Sequence, residues 1–423
     1  MFVILVLSAS VGLGYALDSY FSTEVQEGVN KSQFLYSNLS REEDPDISQD
    51  KLNDLVNGNN QFVFDLYRKI SGEEGNLFYS PYSISLALAM TYAGARGETE
   101  KQISDVLNFD LAQNDLHTAF NALDQNLGSK EKPENFKLNI ANAFWGQENY
   151  HFEENYLDTL ALNYGAGLGL LNFEKDTEKS RRIINEWVEN KTENKIEDLL
   201  PKGAIKPSTR AVLTNAIYFL AKWQNPFPES NTKDGDFTLL NGEEIQVPLM
   251  FQTSNFRYVE GESYKAVELP YNVQDMSMMV ILPEKGHFSG FEKTLSDQKL
   301  ESIIKNMESR EVDLTMPKFE FEKSLNLSKI LIDMGMPVAF GGRANFSGMT
   351  GDRSLFIDEI LHKAFVSVDE KGTEAAAATA VVMTETSVVP TVEMSIDSPF
   401  IFLIRDNETD TILFFGRVLN PQV

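Results

Sequence analysis

Glu370-Lys-Gly-Thr-Glu-Ala-Ala-Ala-Ala-Thr-Ala380 opens a stretch that continues as Val-Val-Met-Thr-Glu-Thr-Ser-Val-Val-Pro390 and lies between two predicted strands. Its Ala-rich first half favours a short helix, whereas the β-branched second half favours extended chain. About 20 residues of such mixed propensity are uncommon between the strands of a compact domain and are usually functional. A flexible surface loop or a plain Ala-rich helix is the alternative interpretation that composition alone allows.

The sequence around this stretch indicates an α+β domain. Apolar residues at helical spacing predict helices at 58–70, 80–94 and 181–200. Alternating or continuous apolar runs predict strands at 136–140, 211–219, 276–282, 312–316, 319–321, 364–368, 400–404 and 411–418. The last two runs flank a polar turn and predict a hairpin, and the alternation changes register at Pro317, where we expect a bulge. Helices that mix with many strands, which dominate the second half, indicate large, mainly antiparallel sheets.

Composition narrows the range of partners. The chain has 423 residues, of which 42% are hydrophobic, and 63 acidic against 37 basic residues give a formal net charge of −26. Such a charge repels nucleic acid, and basic residues do not cluster in the helical first third, so we expect neither nucleic-acid nor heparin binding. The chain has no Cys, which excludes disulfides and thiol catalysis.

The amino-terminal part differs from the rest in composition. Residues 1–17 are uncharged and mostly apolar, and this length suits the core of a signal peptide, with an uncleaved N-terminal anchor as the alternative. Residues 18–57 are polar and acidic, and we interpret them as a flexible spacer. Residues 58–423 then form one domain. We therefore expect a secreted, extracellular protein, or one anchored at the outer face of a membrane.

No motif in the sequence supports catalysis. The four His residues show no zinc-ligand spacing, and neither Gly-x-Ser-x-Gly nor a phosphate-cradling loop occurs. A triad or carboxylate pair scattered along the chain remains as an alternative without a motif to support it. We therefore predict that the chain is not an enzyme and that it binds no metal and no cofactor.

Several separate motifs of the sequence closely resemble the serpin family, in the family's order, from about Gly58 to Pro421. They are Asn76-Leu-Phe-Tyr-Ser80-Pro81-Tyr-Ser83-Ile-Ser85, Thr214-Asn-Ala-Ile-Tyr-Phe219 with Lys222-Trp223, His362-Lys-Ala364, Asp369-Glu-Lys-Gly-Thr-Glu-Ala-Ala-Ala377, Ser398-Pro-Phe-Ile-Phe-Leu-Ile404 and Phe415-Gly-Arg-Val-Leu-Asn-Pro421. The resemblance implies the serpin fold, with about nine helices and an exposed reactive-centre loop. It also implies a suicide-type inhibitor, whose cleaved loop enters the central sheet as a new strand and drags the attached protease along.

The resemblance assigns residues to three sites. The loop hinge comprises Glu370, Gly372, Thr373, Glu374, Ala375, Ala376, Ala377 and Ala378. The shutter and breach, where the sheet opens, comprise Asn76, Ser80, Pro81, Ser83, Asn215, Trp223 and His362. At the shutter we expect His362 to bridge to Asn215 and Ser83. The alternative interpretation of His362 is a catalytic base, but a lone His beside a strand is more often a hydrogen-bonded structural residue.

The hinge residues themselves suit insertion as a strand. If Thr373 points into the protein, the alternation of a strand also turns Ala375, Ala377, Thr379 and Val381 inward, while Glu374 points outward. The inward set therefore carries no charge, and a charge buried there would oppose insertion. We therefore predict that Thr373–Val382 is the inserting segment and that the protein is inhibitory, with a non-inhibitory binding or chaperone serpin as the alternative.

The scissile bond is less closely defined. Counting seventeen residues from Glu370, the spacing that inhibitory members use, gives Thr386-Ser387, whereas counting back from Pro399 gives Val388-Val389. Both bonds follow a small β-branched residue, which favours an elastase-like or subtilisin-like serine protease as the target. The resemblance also implies a monomer.

Overall fold

Two large β-sheets dominate the part of the chain that the computed structural model describes, residues 34–373 and 391–422. The helices of that part are α1 (Gln49–Ile70), α2 (Pro81–Tyr92), α3 (Glu98–Leu107), α4 (Gln113–Ser129), α5 (Glu154–Tyr164), α6 (Thr177–Lys191), α7 (Phe288–Thr294), α8 (Asp297–Lys305), α9 (Leu327–Met334) and α10 (Ser347–Thr350). The strands are β1 (Phe34–Leu35), β2 (Leu77–Tyr79), β3 (Phe136–Gln147), β4 (Leu168–Leu171), β5 (Ala211–Lys222), β6 (Lys233–Thr238), β7 (Glu244–Glu260), β8 (Tyr264–Pro270), β9 (Met276–Pro283), β10 (Glu308–Pro317), β11 (Phe319–Asn326), β12 (Glu359–Asp369), β13 (Gly372–Thr373), β14 (Val392–Ser395), β15 (Phe400–Asp406) and β16 (Ile412–Val418).

The seven-stranded sheet has the order β1-β4-β3-β5-β13-β12-β11, and the nine-stranded sheet has the order β14-β10-β7-β8-β9-β15-β16-β2, with β6 beside β7. Within the described residues, only the pairs β3–β4, β5–β12 and β10–β14 are parallel. This confirms the α+β class and the mainly antiparallel sheets, with ten α-helices where about nine were expected. The predicted hairpin is also confirmed, because β15 and β16 pair antiparallel.

Helix α2 fills the space between the two sheets. Every residue of this helix is buried, and it packs against β3, β5 and β16. The sequence explains where it begins, because the Ser80 hydroxyl accepts the Ser83 amide and Pro81 occupies the first turn. The helix is therefore held in the core at the point where it reaches the middle strands of the seven-stranded sheet.

The predicted acidic spacer at 18–57 is wrong for residues 34–57. Helix α1 begins at Gln49, eight residues before the predicted end of the spacer, and buries Leu55 and Val56. Ahead of it, Phe34–Leu35 forms strand β1 at the edge of the seven-stranded sheet. The low apolar content concealed this order because the few apolar residues, Leu35, Ile47 and Leu52 among them, are widely spaced, although they pack against the core. Residues 1–33, which include the predicted signal peptide, lie outside the described residues.

The register change at Pro317 is a crossing between sheets and not a bulge. Strand β10 ends at Pro317 in the nine-stranded sheet, and β11 begins at Phe319 in the seven-stranded sheet. The opposite alternation of the two runs therefore reflects two different buried faces. The predicted helix at 181–200 is also shorter than expected, since α6 ends at Lys191 and the segment after it lies across the seven-stranded sheet.

No helix within residues 34–373 and 391–422 combines the length and apolar character that a membrane span requires.

Candidate functional site: the divided centre of the seven-stranded sheet

The centre of the seven-stranded sheet is divided into two regions. At one end, Gly372 and Thr373 lie between β5 and β12 and pair antiparallel with both strands, Thr373 opposite Ala221 on one side and Val368 on the other. Farther along, β5 and β12 pair directly and parallel, from Ile217 with Ala364 to Val212 with Glu359. The hinge has therefore entered the sheet by two residues, and the remaining seam is closed by the strands on either side.

A tight turn directs the chain into this position. The Asp369 carboxylate accepts the amides of Lys371 at 2.8 Å and Gly372 at 3.2 Å. At Gly372 a side chain would not fit, because an added Cβ would lie 2.1 Å from the Ala221 carbonyl oxygen. The predicted importance of Gly372 is thus explained by the close approach of the β5 backbone.

Trp223 and Tyr271 hold the hinge from the inner side. Their rings stack with 4.7 Å between centroids, and the Trp223 indole N–H donates to the Asp369 carbonyl at 3.0 Å. The Tyr271 hydroxyl lies 2.7 Å from the Thr373 hydroxyl, and Thr373 is only 1% exposed. Thr373 therefore points into the protein, which is the condition on which the predicted inward and outward sets of hinge residues depend. Sequence reasoning missed Tyr271, which lies in a loop without a motif.

Glu370 is fixed by two partners that flank strands of the nine-stranded sheet, Lys318 directly after β10 and Thr232 directly before β6. Its carboxylate pairs with the Lys318 ammonium at 2.9 Å and accepts the Thr232 hydroxyl at 2.7 Å. Burial alone would raise the pKa of Glu370, but these hydrogen bonds outweigh it and lower the pKa below its usual value. Lys318 is the residue at which the chain crosses between sheets, so the ion pair joins the hinge to that crossing.

His362 lies at the middle of the direct β5–β12 seam, opposite Asn215. It is fully buried, its Nδ1 contacts Asn215 Oδ1, and its Nε2 accepts the Ser80 amide at 3.2 Å. The ring is therefore neutral with its proton on Nδ1, because a proton on Nε2 would point at the N–H of Ser80. Burial lowers the pKa of His362 from 6.5 to about 3.

Asn215 completes the link to helix α2. Its side-chain nitrogen donates to the Ser83 carbonyl at 2.8 Å and to the Ser83 hydroxyl at 2.7 Å. The predicted bridge from His362 to Asn215 is present, and Ser83 is reached through Asn215. Asn142 of β3 joins the same cluster, because its carboxamide oxygen accepts the Ser83 hydroxyl at 3.2 Å. Asn142 was missed because the predicted strand ended at residue 140.

Two predicted shutter residues have other positions or roles. Asn76 lies at the carboxyl end of the chain, where its carboxamide accepts the amide of Leu419 and donates to the Asn420 carbonyl, and the structure does not bring it to His362. Pro81 starts helix α2 and makes no polar contact with the cluster. Ser80 does belong to the cluster, because its amide donates to His362 Nε2, while its hydroxyl donates to the Leu413 carbonyl of β16 at 2.6 Å.

The end of α6 and the segment after it cover the outer face of the seam. Val188, Ile196 and Leu199 pack against Leu361 and Phe365 of β12. The Lys363 ammonium, which is also on β12, donates to the Glu197 carbonyl at 2.9 Å and pairs with Glu322. A strand entering between β5 and β12 would therefore pass beneath this cover.

The other site predictions fall outside the described residues. These are the hinge residues Glu374, Ala375, Ala376, Ala377 and Ala378, and both candidate bonds, Thr386-Ser387 and Val388-Val389. In the described ranges, no group of three or more His, Asp or Glu side chains is arranged to hold a metal ion.

Comparison with known proteins agrees with this architecture. The family model described as serpin (serine protease inhibitor) matches residues 57–421. The chain belongs to the serpin family. An uncharacterized serpin-like protein of Thermococcus kodakarensis is 42% identical to this serpin over 371 residues, covering 87% of this chain and 86% of the relative.

Two further relatives are informative. The leukocyte elastase inhibitor of Sus scrofa is 39% identical over 378 residues, covering 87% of this serpin and 99% of the relative. The crystal structure of a thermophilic serpin, tengpin, in the native state superposes with a TM-score of 0.80 at 31% identity, covering 91% of this serpin and 97% of that chain. The serpin fold and the predicted family are thus confirmed.

The depressed pKa of His362 predicts a pH effect on stability. The unfolded state takes up the proton near pH 6.5 and the folded state only near pH 3, so this contribution to stability is complete above pH 6.5 and is lost as the pH falls toward 3. By pH 4.5 the loss should be about 3 kcal/mol, at about 1.4 kcal/mol per pH unit. The His362→Gln variant should lack it. Urea unfolding of both proteins at pH 7 and pH 4.5 measures this difference, and an equal loss in both would contradict it.

The close packing of Gly372 against the β5 backbone predicts that one added methyl group lowers stability. Gly372→Ala should displace the hinge from between β5 and β12 and lower the free energy of unfolding by about 1–3 kcal/mol, the usual cost of overpacking. Trp223 fluorescence should change with it, because Trp223 bonds to the same turn. Lys371→Ala is the matched control, since the Lys371 side chain is partly exposed. Unchanged fluorescence and stability in Gly372→Ala would show that the hinge is not held there.

Proposed function

We propose that this serpin is a suicide-type inhibitor of serine endopeptidases, which traps its target by inserting Thr373–Val382 into the seven-stranded sheet. The observation that carries the proposal is the position of Gly372 and Thr373, already paired with both β5 and β12. A carrier or storage role would not require a hinge that begins to enter the sheet with a small, uncharged, inward-facing residue.

The existing register specifies where each following residue would go. Thr373 is opposite Ala221 and Val368, so continued antiparallel pairing brings residue 379 opposite residues 215 and 362. These two residues, Asn215 and His362, already face each other across the seam. Thr379 would therefore separate the His362–Asn215 hydrogen bond about two-thirds of the way through insertion.

The same register also gives an end point. Residue 382 falls opposite Val212 and Glu359, which form the last direct pair between β5 and β12. The inserting segment that the sequence predicted, Thr373–Val382, thus has the length of the seam that it would fill. Inward positions along it meet Phe219, Ile217 and Leu213, all of them buried, so the small uncharged residues of the loop suit that face.

Insertion is favourable in free energy. It exchanges six parallel β5–β12 residue pairs for nine further residues, 374–382, with antiparallel partners on both sides. At roughly 1 kcal/mol per net hydrogen bond, the gain is on the order of 10 kcal/mol. This is comparable to the whole stability of many domains, about 5–15 kcal/mol, and is enough to distort a captured enzyme.

The chemistry of capture is that of an ordinary acyl-enzyme. The protease serine attacks the carbonyl carbon of Thr386, the amine of Ser387 leaves with the proton that the protease base took from that serine, and an ester joins the inhibitor to the enzyme. Insertion then removes the protease active site from the geometry that hydrolyses this ester. We propose Thr386-Ser387 as the bond, with Val388-Val389 as the alternative. A relative named leukocyte elastase inhibitor supports an elastase-like target.

The proposal is tested by incubating the protein with pancreatic elastase and, separately, with subtilisin. We expect a covalent complex that survives a denaturing gel, a released peptide beginning at Ser387, and a rise in thermal stability of the cleaved protein. Cleavage without a complex or a gain in stability would instead indicate a non-inhibitory serpin. Turnover of a substrate without loop cleavage would indicate an enzyme.

The register predicts opposite outcomes for neighbouring substitutions. Ala375→Glu would place a carboxylate between buried Phe219 and Val366, so insertion should stall and the variant should become a substrate of the protease. Ala376→Glu is the control, because its position faces outward beside half-buried Phe365, over which the Lys195 ammonium lies at 5.9 Å. The measurement is the number of inhibitor molecules consumed per protease inactivated. Equal numbers for both variants would contradict the register.

A further inference from the structure

The dipeptide Asn-Gly occurs twice in the sequence, at Asn57-Gly58 and at Asn241-Gly242. In this dipeptide the backbone nitrogen after the asparagine is well placed to attack the asparagine side chain, because glycine has no side chain that would shield it. The structure places the two copies in opposite surroundings. The glycine of the first is buried within helix α1, and the second copy is exposed in a turn.

The exposed copy lies at the tip of the hairpin between β6 and β7. Residues 240–243 are all exposed, and Gly242 adopts a φ of +83° with no atom within 4 Å of an added Cβ. The Gly242 amide donates to the Leu239 carbonyl at 2.9 Å, and this is a bond of the turn itself. Opening the tip therefore removes little packing, and it releases the Gly242 nitrogen for reaction.

The side chain of Asn241 is held in a position that favours attack at its Cγ atom. Its carboxamide oxygen accepts the Glu243 amide at 2.9 Å, so a backbone N–H faces the negative charge that this oxygen acquires when Cγ becomes tetrahedral. Its carboxamide nitrogen lies 3.4 Å from Glu243 Oε2, a carboxylate oxygen that can relay a proton. Three consecutive residues thus supply the nucleophile, the electrophile and the groups that promote the reaction.

We propose that Asn241 is a site of self-modification, at which the chain converts its own asparagine into aspartyl and isoaspartyl residues. The Gly242 nitrogen attacks Cγ of Asn241 and gives up its proton, the bond from Cγ to Nδ2 breaks, and ammonia leaves with that proton. The resulting succinimide takes up one water, which opens the ring at Cγ to give aspartate or at the backbone carbonyl carbon to give isoaspartate. Water is the only other reactant, and the step does not depend on protease inhibition.

The other copy, Asn57-Gly58, is an internal control. Gly58 lies inside α1, where a backbone amide is bonded to the carbonyl four residues earlier, and an added Cβ at Gly58 would lie 2.2 Å from the Asn108 carbonyl oxygen. The Gly58 nitrogen can react only after this core helix has opened, which requires nearly complete unfolding. In the folded protein Asn241 should therefore react at least about a hundredfold faster than Asn57.

The product changes the contacts of the turn. Where the Asn241 carboxamide donated to Glu243 Oε2, an aspartyl side chain presents a second carboxylate, and like charges at this distance repel. The isoaspartyl form also adds one carbon atom to the backbone of the turn, beyond the last β6–β7 pair, Thr238 with Glu244. The tip of the hairpin should therefore loosen once the site has reacted.

The experiment follows both asparagines in the same sample. The folded full-length protein is kept in neutral buffer, and samples taken over several weeks are digested and analysed by mass spectrometry, with an isoaspartyl-specific methyltransferase to label that product. We expect conversion at Asn241 to be at least about a hundredfold faster than at Asn57. In urea, where neither site is protected, the two rates should be similar. Equal rates in the folded protein, or conversion of Asn241 in urea alone, would refute the proposal.

Two matched variants test the contribution of the neighbouring carboxylate. Glu243→Gln keeps the backbone amide that faces the Asn241 oxygen but removes the proton relay, so conversion of Asn241 should slow by about tenfold. Glu244→Gln removes the next exposed carboxylate and the same charge, and it should leave the rate unchanged. Circular dichroism shows that both variants are folded. If both variants convert at the same rate, the relay by Glu243 is refuted.

Discussion

The direct pairing of β5 with β12 is the contact on which the other features of the molecule depend. It is a parallel ladder with the buried pair His362 and Asn215 at its middle. At one end of the ladder, Gly372 and Thr373 of the hinge already lie between the same two strands. Parallel pairing is slightly less stable per residue than antiparallel pairing. The sheet is therefore closed by a weaker arrangement than the one it would have with an additional strand.

The neighbouring elements are arranged around that seam. Helix α2 reaches it from the inside through Ser80 and Ser83, and the segment after α6 covers it from the outside. At the hinge end of the seam, the ammonium of Lys318 pairs with Glu370. Lys318 lies where the chain crosses from the nine-stranded to the seven-stranded sheet. Both sheets thus contribute to the position of the hinge, so a disturbance in either one reaches it.

Much of this arrangement could be predicted from the sequence. The apolar runs specified the middle strands of both sheets, and the small alternating residues after Glu370 specified a segment able to enter one of them. His362 and Asn215 were paired in advance because the family resemblance placed both at the shutter. Their bonding pattern explains the assignment, since each ring nitrogen of His362 has a partner of the opposite kind.

The rest could not be predicted, for physical reasons that differ from one residue to the next. Tyr271 and Lys318 act through contacts between parts of the chain that are distant in sequence, which local patterns do not record. Asn76 matched a motif but binds the carboxyl end of the chain. Residues 34–44 have too few apolar side chains to form a recognisable pattern, yet their polar groups find partners on α4 and α5.

The chain has three tryptophans, and their placement divides its intrinsic fluorescence between the two ends of the sheet. Trp223 stacks on Tyr271 and bonds to the turn that precedes Thr373. Trp145 and Trp187 contact each other with ring centroids 5.4 Å apart, and both lie beside Phe34. Replacing Trp145 and Trp187 together by phenylalanine would leave only the signal of the hinge, and replacing Trp223 alone would leave only the signal of the opposite end of the sheet. The order in which these two regions rearrange can then be timed by stopped-flow fluorescence of the two variants without attaching a label.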